Sequence, residues 1–105
     1  MAENMKVNVL GTEYEIIQTD EINSEIDGYV VYASKKIFIM DLKHHGDNTD
    51  VVKSRVIRHE LVHAFLHESG LDCSSEWAQN EEVVDWIALQ FPKMVKVFGE
   101  LEVME

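Results

Sequence analysis

The sequence holds one cysteine, one proline, five glycines and only nine basic side chains in 105 residues. A single thiol, Cys73, cannot close an internal disulfide, so folding is not expected to need an oxidising compartment. Scarce Gly and Pro beside 46% hydrophobic residues exclude a disordered or collagen-like chain and leave apolar surface for one modest core. The length suits a single domain, and no linker, repeat or low-complexity stretch divides it. Basic residues are outnumbered by twenty acidic ones, giving a formal net charge of −11 that repels phosphate backbones and anionic lipid. Nucleic acid and membrane are therefore not expected as partners. No apolar run approaches the ~20 residues of a membrane span. The start, MAENMKVNVL, has neither the basic n-region nor the apolar h-region of a signal peptide. A cytoplasmic protein is expected.

The first forty residues read as strands and turns. Val7 to Leu10 and Tyr14 to Ile17 form a hairpin around Gly11-Thr12, and Gly28 to Tyr32 with Lys36 to Met40 form a second. β-branched and aromatic residues fill the second pair, as a half-buried pleated surface favours. Lys43 to Thr49 is polar and contains Gly46, which predicts a loop, with Asn48, Thr49 or Asp50 capping a helix. From Val51 the period lengthens: Val52, Val56, His59, His63 and Leu66 recur at three- and four-residue steps, and Gly70 ends the run. Ser74 or Ser75 is the expected cap of a second helix through Glu81 to Phe91, which Pro92 kinks or ends. Lys93 to Glu105 reads as a further helical turn or two with a loose end. The expectation is an α+β fold: an N-terminal antiparallel sheet, one helix from about Asp50 to Ser69, and another from about Ser75 to Phe91.

Five histidines in so small a chain need explaining, because His is the commonest metal ligand. Residues 59–63 read His-Glu-Leu-Val-His, the H-E-x-x-H pattern. Four residues of helix turn through about 400° and rise about 6 Å, so His59 and His63 share a face and can present nitrogens to one ion. Zinc accepts imidazole nitrogen at about 2.0–2.1 Å and in catalytic sites keeps a position open for water. Glu60, on the flank of that face, can reach such a water without displacing a ligand, as a general base must. With five His and thirteen Glu, a chance match is expected on the order of a few per cent of the time, so the setting decides. Both histidines lie inside an apolar stripe, where two core histidines at the chelating spacing beside a Glu would need several separate compensations.

Two histidines need a third protein ligand, and the second helix offers Glu81 and Glu82. Glu81 shares a stripe with Val84, Asp85 and Ala88 and points with the buried side; Glu82 belongs with Trp86 and Leu89. Both also suit a solvated helix N-terminus. Asp85 does not, lying in an apolar run where a carboxylate is costly without a partner. A ligating histidine that donates its other N–H is such a partner, which makes Asp85 the candidate to orient His59.

Arg58 to Leu71, RHELVHAFLHESGL, and Asn80 to Ala88, NEEVVDWIA, resemble the small bacterial and prophage ImmA/IrrE-type zinc metallopeptidases within the zincin class. The second segment is also similar to the Asn-Glu-x-x-x-Asp helix of thermolysin-like enzymes. The resemblance covers about a third of the chain. It implies a minimal zincin-like fold, Zn²⁺ held by His59, His63 and Glu81, Glu60 as base, Asp85 orienting a histidine, and a protein or peptide substrate such as a phage repressor or regulator. An alternative from another class is a non-catalytic, zinc-stapled interaction module of phage origin, its acidic surface engaging a basic partner.

Other residues carry two readings each. His67, four after His63, is a plain helix-end residue or a contact to substrate or oxyanion. Tyr29 and Tyr32 are strand packing or donors to a developing oxyanion. His44 and His45 are loop residues or overhang the cleft. Trp77, Trp86 and Phe91 are expected in the core, and Cys73 as an inert small side chain.

Overall fold

A computed structural model describes residues 4–21, 25–43, 46 and 49–105. His44, His45 and Asn48 lie outside the described residues, with most of the expected loop. β1 (Asn4–Val9) and β2 (Thr12–Gln18) form the first hairpin. Leu10 and Gly11, both at positive φ (51° and 94°), make its two-residue turn; that conformation matches the twist of the flanking strands. The Asn8 side chain accepts the Gly11 N–H at 2.8 Å, fixing a turn in which leucine is a costly choice. β3 (Gly28–Val31) and β4 (Lys36–Ile39) form the second hairpin.

The two hairpins join through β2 and β4, which run parallel with Ile16 opposite Ile37, so the sheet order is β1-β2-β4-β3. The expected antiparallel sheet is therefore corrected to a mixed one. Each hairpin is antiparallel because a short turn allows nothing else; the junction between them is a long-range pairing that neither turn encodes. β3 is left as an edge strand.

Period-two alternation puts Val9, Tyr14, Ile16, Ile37 and Ile39 on one face, where they are buried with Val56 and Ala64 of α1 (Thr49–Glu68). α1 ends at Gly70, whose φ of 85° and N–H bond to the His67 carbonyl at 3.0 Å form the left-handed cap that glycine permits. Glu68, in the last turn, would oppose the helix dipole. Three donors from the sheet hold it: Tyr14 Oη at 2.6 Å, Thr12 Oγ1 at 2.8 Å and Lys35 Nζ at 2.9 Å. The Tyr14 bond is the main reason the Glu68 carboxyl is pulled down to about 2, with Lys35 and Thr12 adding to it.

A short helix α2 (Leu71–Ser74) and a 3-10 turn (Glu76–Gln79) lead to α3 (Glu81–Glu100). Leu66, Ala78 and Val84 form a second apolar cluster between α1 and α3. The cap of α3 is Asn80 rather than Ser74 or Ser75: its side chain accepts the Val83 N–H at 3.0 Å. Pro92 does not end the helix, which continues two turns to Glu100. Proline has no N–H for the carbonyl four residues earlier, and Arg58 fills the gap, its Nε donating to the Ala88 carbonyl at 2.8 Å. Trp77, Trp86 and Phe91 are exposed, not core. Among the described residues α3 packs mainly on α1 and the 3-10 turn, and its outer face and C-terminal half stand exposed. The result is a small α+β domain of a four-stranded mixed sheet followed by helices. No described helix is long and apolar enough to cross a membrane.

Candidate metal centre

α1 and α3 meet at the mouth of a cleft of about 890 Å³, bounded on the sheet side by β3. One turn of α1 sets His59 and His63 side by side, their ring centroids 5.0 Å apart. The capped N-terminus of α3 brings Glu81 across to them. Glu81 Oε1 lies 2.5 Å from His63 Nε2 and 3.3 Å from His59 Nε2, and Oε2 lies 3.2 Å from His63 Nε2. Among the described residues these three form a group of potential ligands, with their atoms all within 4.8 Å of one another. A tetrahedron with zinc–ligand bonds of about 2.0–2.1 Å has edges of roughly 3.3 Å, so the spacing and the two-nitrogen, one-oxygen donor set could hold a metal ion of that kind.

Asp85, one turn beyond Glu81, accepts from His59 Nδ1 at 3.2 Å. That bond leaves Nε2 turned to Glu81 and fixes the ring, the outer contact a ligating histidine needs. Glu81 was expected on the buried side of its helix. Its side chain is 65% exposed, because the cleft at that point opens to solvent. Glu82 also stands exposed, beside Val83 and Trp86, away from the histidines.

Glu60 is the one buried charged residue among the described ones, 7% exposed, and it lines the cleft. Burial pushes its carboxyl up to about 7; His59 opposes the rise and Glu81 adds to it. A carboxylate with that proton affinity exchanges protons near neutral pH, which suits a general base. Gly28 makes the placement possible. A Cβ there would sit 2.9 Å from the Phe38 carbonyl oxygen, 3.1 Å from Val56 Cγ1 and 3.4 Å from Glu60 Cγ, so only glycine lets β3 lie directly on the Glu60 turn.

The far wall is built from the other candidates. His67, one turn past His63, donates from Nδ1 to Asp72 Oδ2 at 2.8 Å and stacks on Tyr32 with centroids 4.0 Å apart. It lines the cleft and is more than a helix end. Tyr32 is raised above its ordinary value, first by burial and then by Asp72, Glu60 and Glu81, so its hydroxyl stays a neutral donor. Tyr29 also lines the cleft, stacked on Phe38 at 5.1 Å. Cys73 is exposed, and Asp72 holds its thiol above the usual range, which leaves it a poor nucleophile.

Sequence reasoning missed Asp72, Gly28 and Arg58. Asp72 comes close to His67 only because the chain reverses at Gly70. Gly28 had a readable signal: a glycine opening a β-branched strand marks a close approach. Arg58 had one as well, in the carbonyl that Pro92 orphans. Searched against family models, curated proteins and solved structures, the chain matches none.

Proposed function

We propose that the chain is a zinc-dependent metallopeptidase of the ImmA/IrrE type, with a minimal zincin-like fold, that hydrolyses a peptide bond in a protein substrate such as a phage regulator or repressor. The observation that carries this reading is the convergence of His59, His63 and Glu81 on one point of the cleft, with Asp85 behind His59 and Glu60 buried alongside. Zn²⁺ held by those three side chains would polarise a substrate carbonyl and acidify a water. Glu60 takes a proton from the attacking water as the carbon–oxygen bond forms, and returns it to the departing nitrogen as the carbon–nitrogen bond breaks. Tyr32 and His67 stand in the same wall as donors for the developing oxyanion. The outer edge of β3, which no described strand pairs with, borders the cleft, where an extended peptide can pair with its backbone.

The experiment is metal analysis joined to cleavage. Zinc-reconstituted protein should hold one metal per chain, and His59→Ala should lose it. Glu60→Gln should keep the metal and stop cleavage of a repressor-derived peptide. A chain that binds no divalent metal would sink the proposal. A second reading rests on the same geometry, since a metal there also staples α1 to α3. A zinc-stabilised interaction module would bind its partner equally as wild type and as Glu60→Gln and cleave with neither.

A further inference from the structure

Beyond Gln90, α3 leaves the rest of the fold: from Phe91 to Glu105 every residue except Val95 is exposed. Its apolar pattern does not stop there. Val84 and Ile87 begin a stripe against α1, and Phe91, Met94, Phe98 and Leu101 continue it at three- and four-residue steps, now 54%, 39%, 37% and 67% exposed. Lys93, Lys96 and Glu100 fall on the opposite side of the helix. Apolar residues at this spacing are the pattern of a helix-pairing seam. The end is built rather than frayed. Glu102, at φ 57°, donates to the Gly99 carbonyl at 3.1 Å, and Val103 donates to the Phe98 carbonyl at 3.0 Å, the double bond that closes a helix C-terminus.

We infer that this face is the contact of a symmetric dimer, covered by α3 of a second copy running antiparallel. Charge favours a copy over a basic partner. The chain carries −11 overall, yet Trp86 to Gly99 has no acidic side chain and two lysines. Copies therefore repel least along this stretch, and a basic partner finds only lysines there. Antiparallel pairing about a two-fold near Lys96 sets Phe91 against Leu101 of the second copy and Met94 against its Phe98. That gives four layers, each joining an aromatic to an aliphatic side chain.

The area suffices. Aromatic side chains present roughly 150–250 Å² and aliphatic ones toward the lower end of that range, so Phe91, Met94, Val97, Phe98 and Leu101 at about half exposure offer at most on the order of 500 Å² per chain. The pair then buries up to about 1,000 Å², the floor for a specific interface. Met94 lies thirteen residues along α3 from Glu81, about 20 Å at 1.5 Å per residue, so the dimer leaves the cleft open.

The test is the solution mass of the full chain at tens of micromolar with reductant present. The expected result is twice the 12.1 kDa of one chain. Met94→Glu and Phe98→Glu should each give single chains with unchanged far-ultraviolet circular dichroism. A single-chain mass for the wild type overturns the inference, as does a dimer that survives Met94→Glu or dissolves in reductant. None of these outcomes depends on metal or cleavage.

Discussion

Arg58→Ala should destabilise the protein through a carbonyl 30 residues away. Ala88 is 1% exposed, and its carbonyl has no intrahelical donor because Pro92 occupies the position that would supply one. Arg58 Nε is its partner at 2.8 Å. Removing the donor leaves a buried acceptor unsatisfied, which costs about 1–3 kcal/mol, and the melting temperature of a domain this size falls roughly 4–8 °C per kcal/mol. Truncation also deletes the packing of the arginine stem, so a loss of stability alone does not identify the hydrogen bond. Pro92→Ala does identify it, because alanine returns an N–H to the Ala88 carbonyl and makes Arg58 redundant. Urea unfolding of the metal-free protein should therefore show Arg58→Ala costing at least 1 kcal/mol less in the Pro92→Ala background than in the wild type. Equal costs in the two backgrounds, within about 0.5 kcal/mol, would refute the reasoning.

Three other outcomes follow from the site and its supports. Zinc at a hundredfold excess over its dissociation constant should stabilise the wild type by about 2.7 kcal/mol. Glu81→Ala, if it weakens binding a hundredfold, should keep only about 0.4 kcal/mol, and equal thermal shifts would remove Glu81 from the ligand set. Glu68 is held down to about 2 from an ordinary 4.5, so its contribution is complete above the ordinary value and disappears as pH falls toward about 2. Acid unfolding of Glu68→Gln should accordingly show a shallower loss across that window than the wild type, and identical slopes would contradict it. Gly28→Ala should force β3 from α1 at a cost of about 1–3 kcal/mol and lower cleavage more than zinc binding. A variant as stable as the wild type by urea melt would show that the close approach is not needed.

The parts of the site that could be read in the sequence are those set by spacing along one helix. His59 and His63 are four residues apart, and Glu81 and Asp85 are four apart on the next helix, so each pair shares a face wherever the helix goes. The fold joined the two pairs as that spacing allows. The wall opposite was legible only as separate candidates, Tyr29, Tyr32 and His67, each with two readings, and Asp72 was not legible at all. Tyr32, His67 and Asp72 come from a hairpin turn, a helix end and the helix after a reversal, and no local pattern records that they meet. The sheet divides in the same manner. Both hairpins follow from Gly11, from the Ala33-Ser34-Lys35 turn and from alternation, while the parallel pairing of Ile16 with Ile37 is a contact between hairpins that no local pattern records.

The limits of α3 show which physical question periodicity answers. An apolar residue every three or four positions reports that a face avoids water; it carries no information on what covers that face. Val84 and Ala88 are covered by α1, whereas Phe91 and Leu101 repeat the same pattern beyond its reach, which is why Phe91 was expected in a core that does not extend to it. Pro92 was expected to kink or end the helix for a related reason. The rule counts the hydrogen bond that proline removes, and only the tertiary structure supplies the replacement from Arg58. Arg58 and His59 are neighbours on α1, and they bond to Ala88 and Asp85 of α3. The turn that begins the H-E-x-x-H motif therefore also supplies the partner for the carbonyl that Pro92 leaves open, at the point where α3 passes from the covered stretch to the exposed stripe from Phe91 to Leu101.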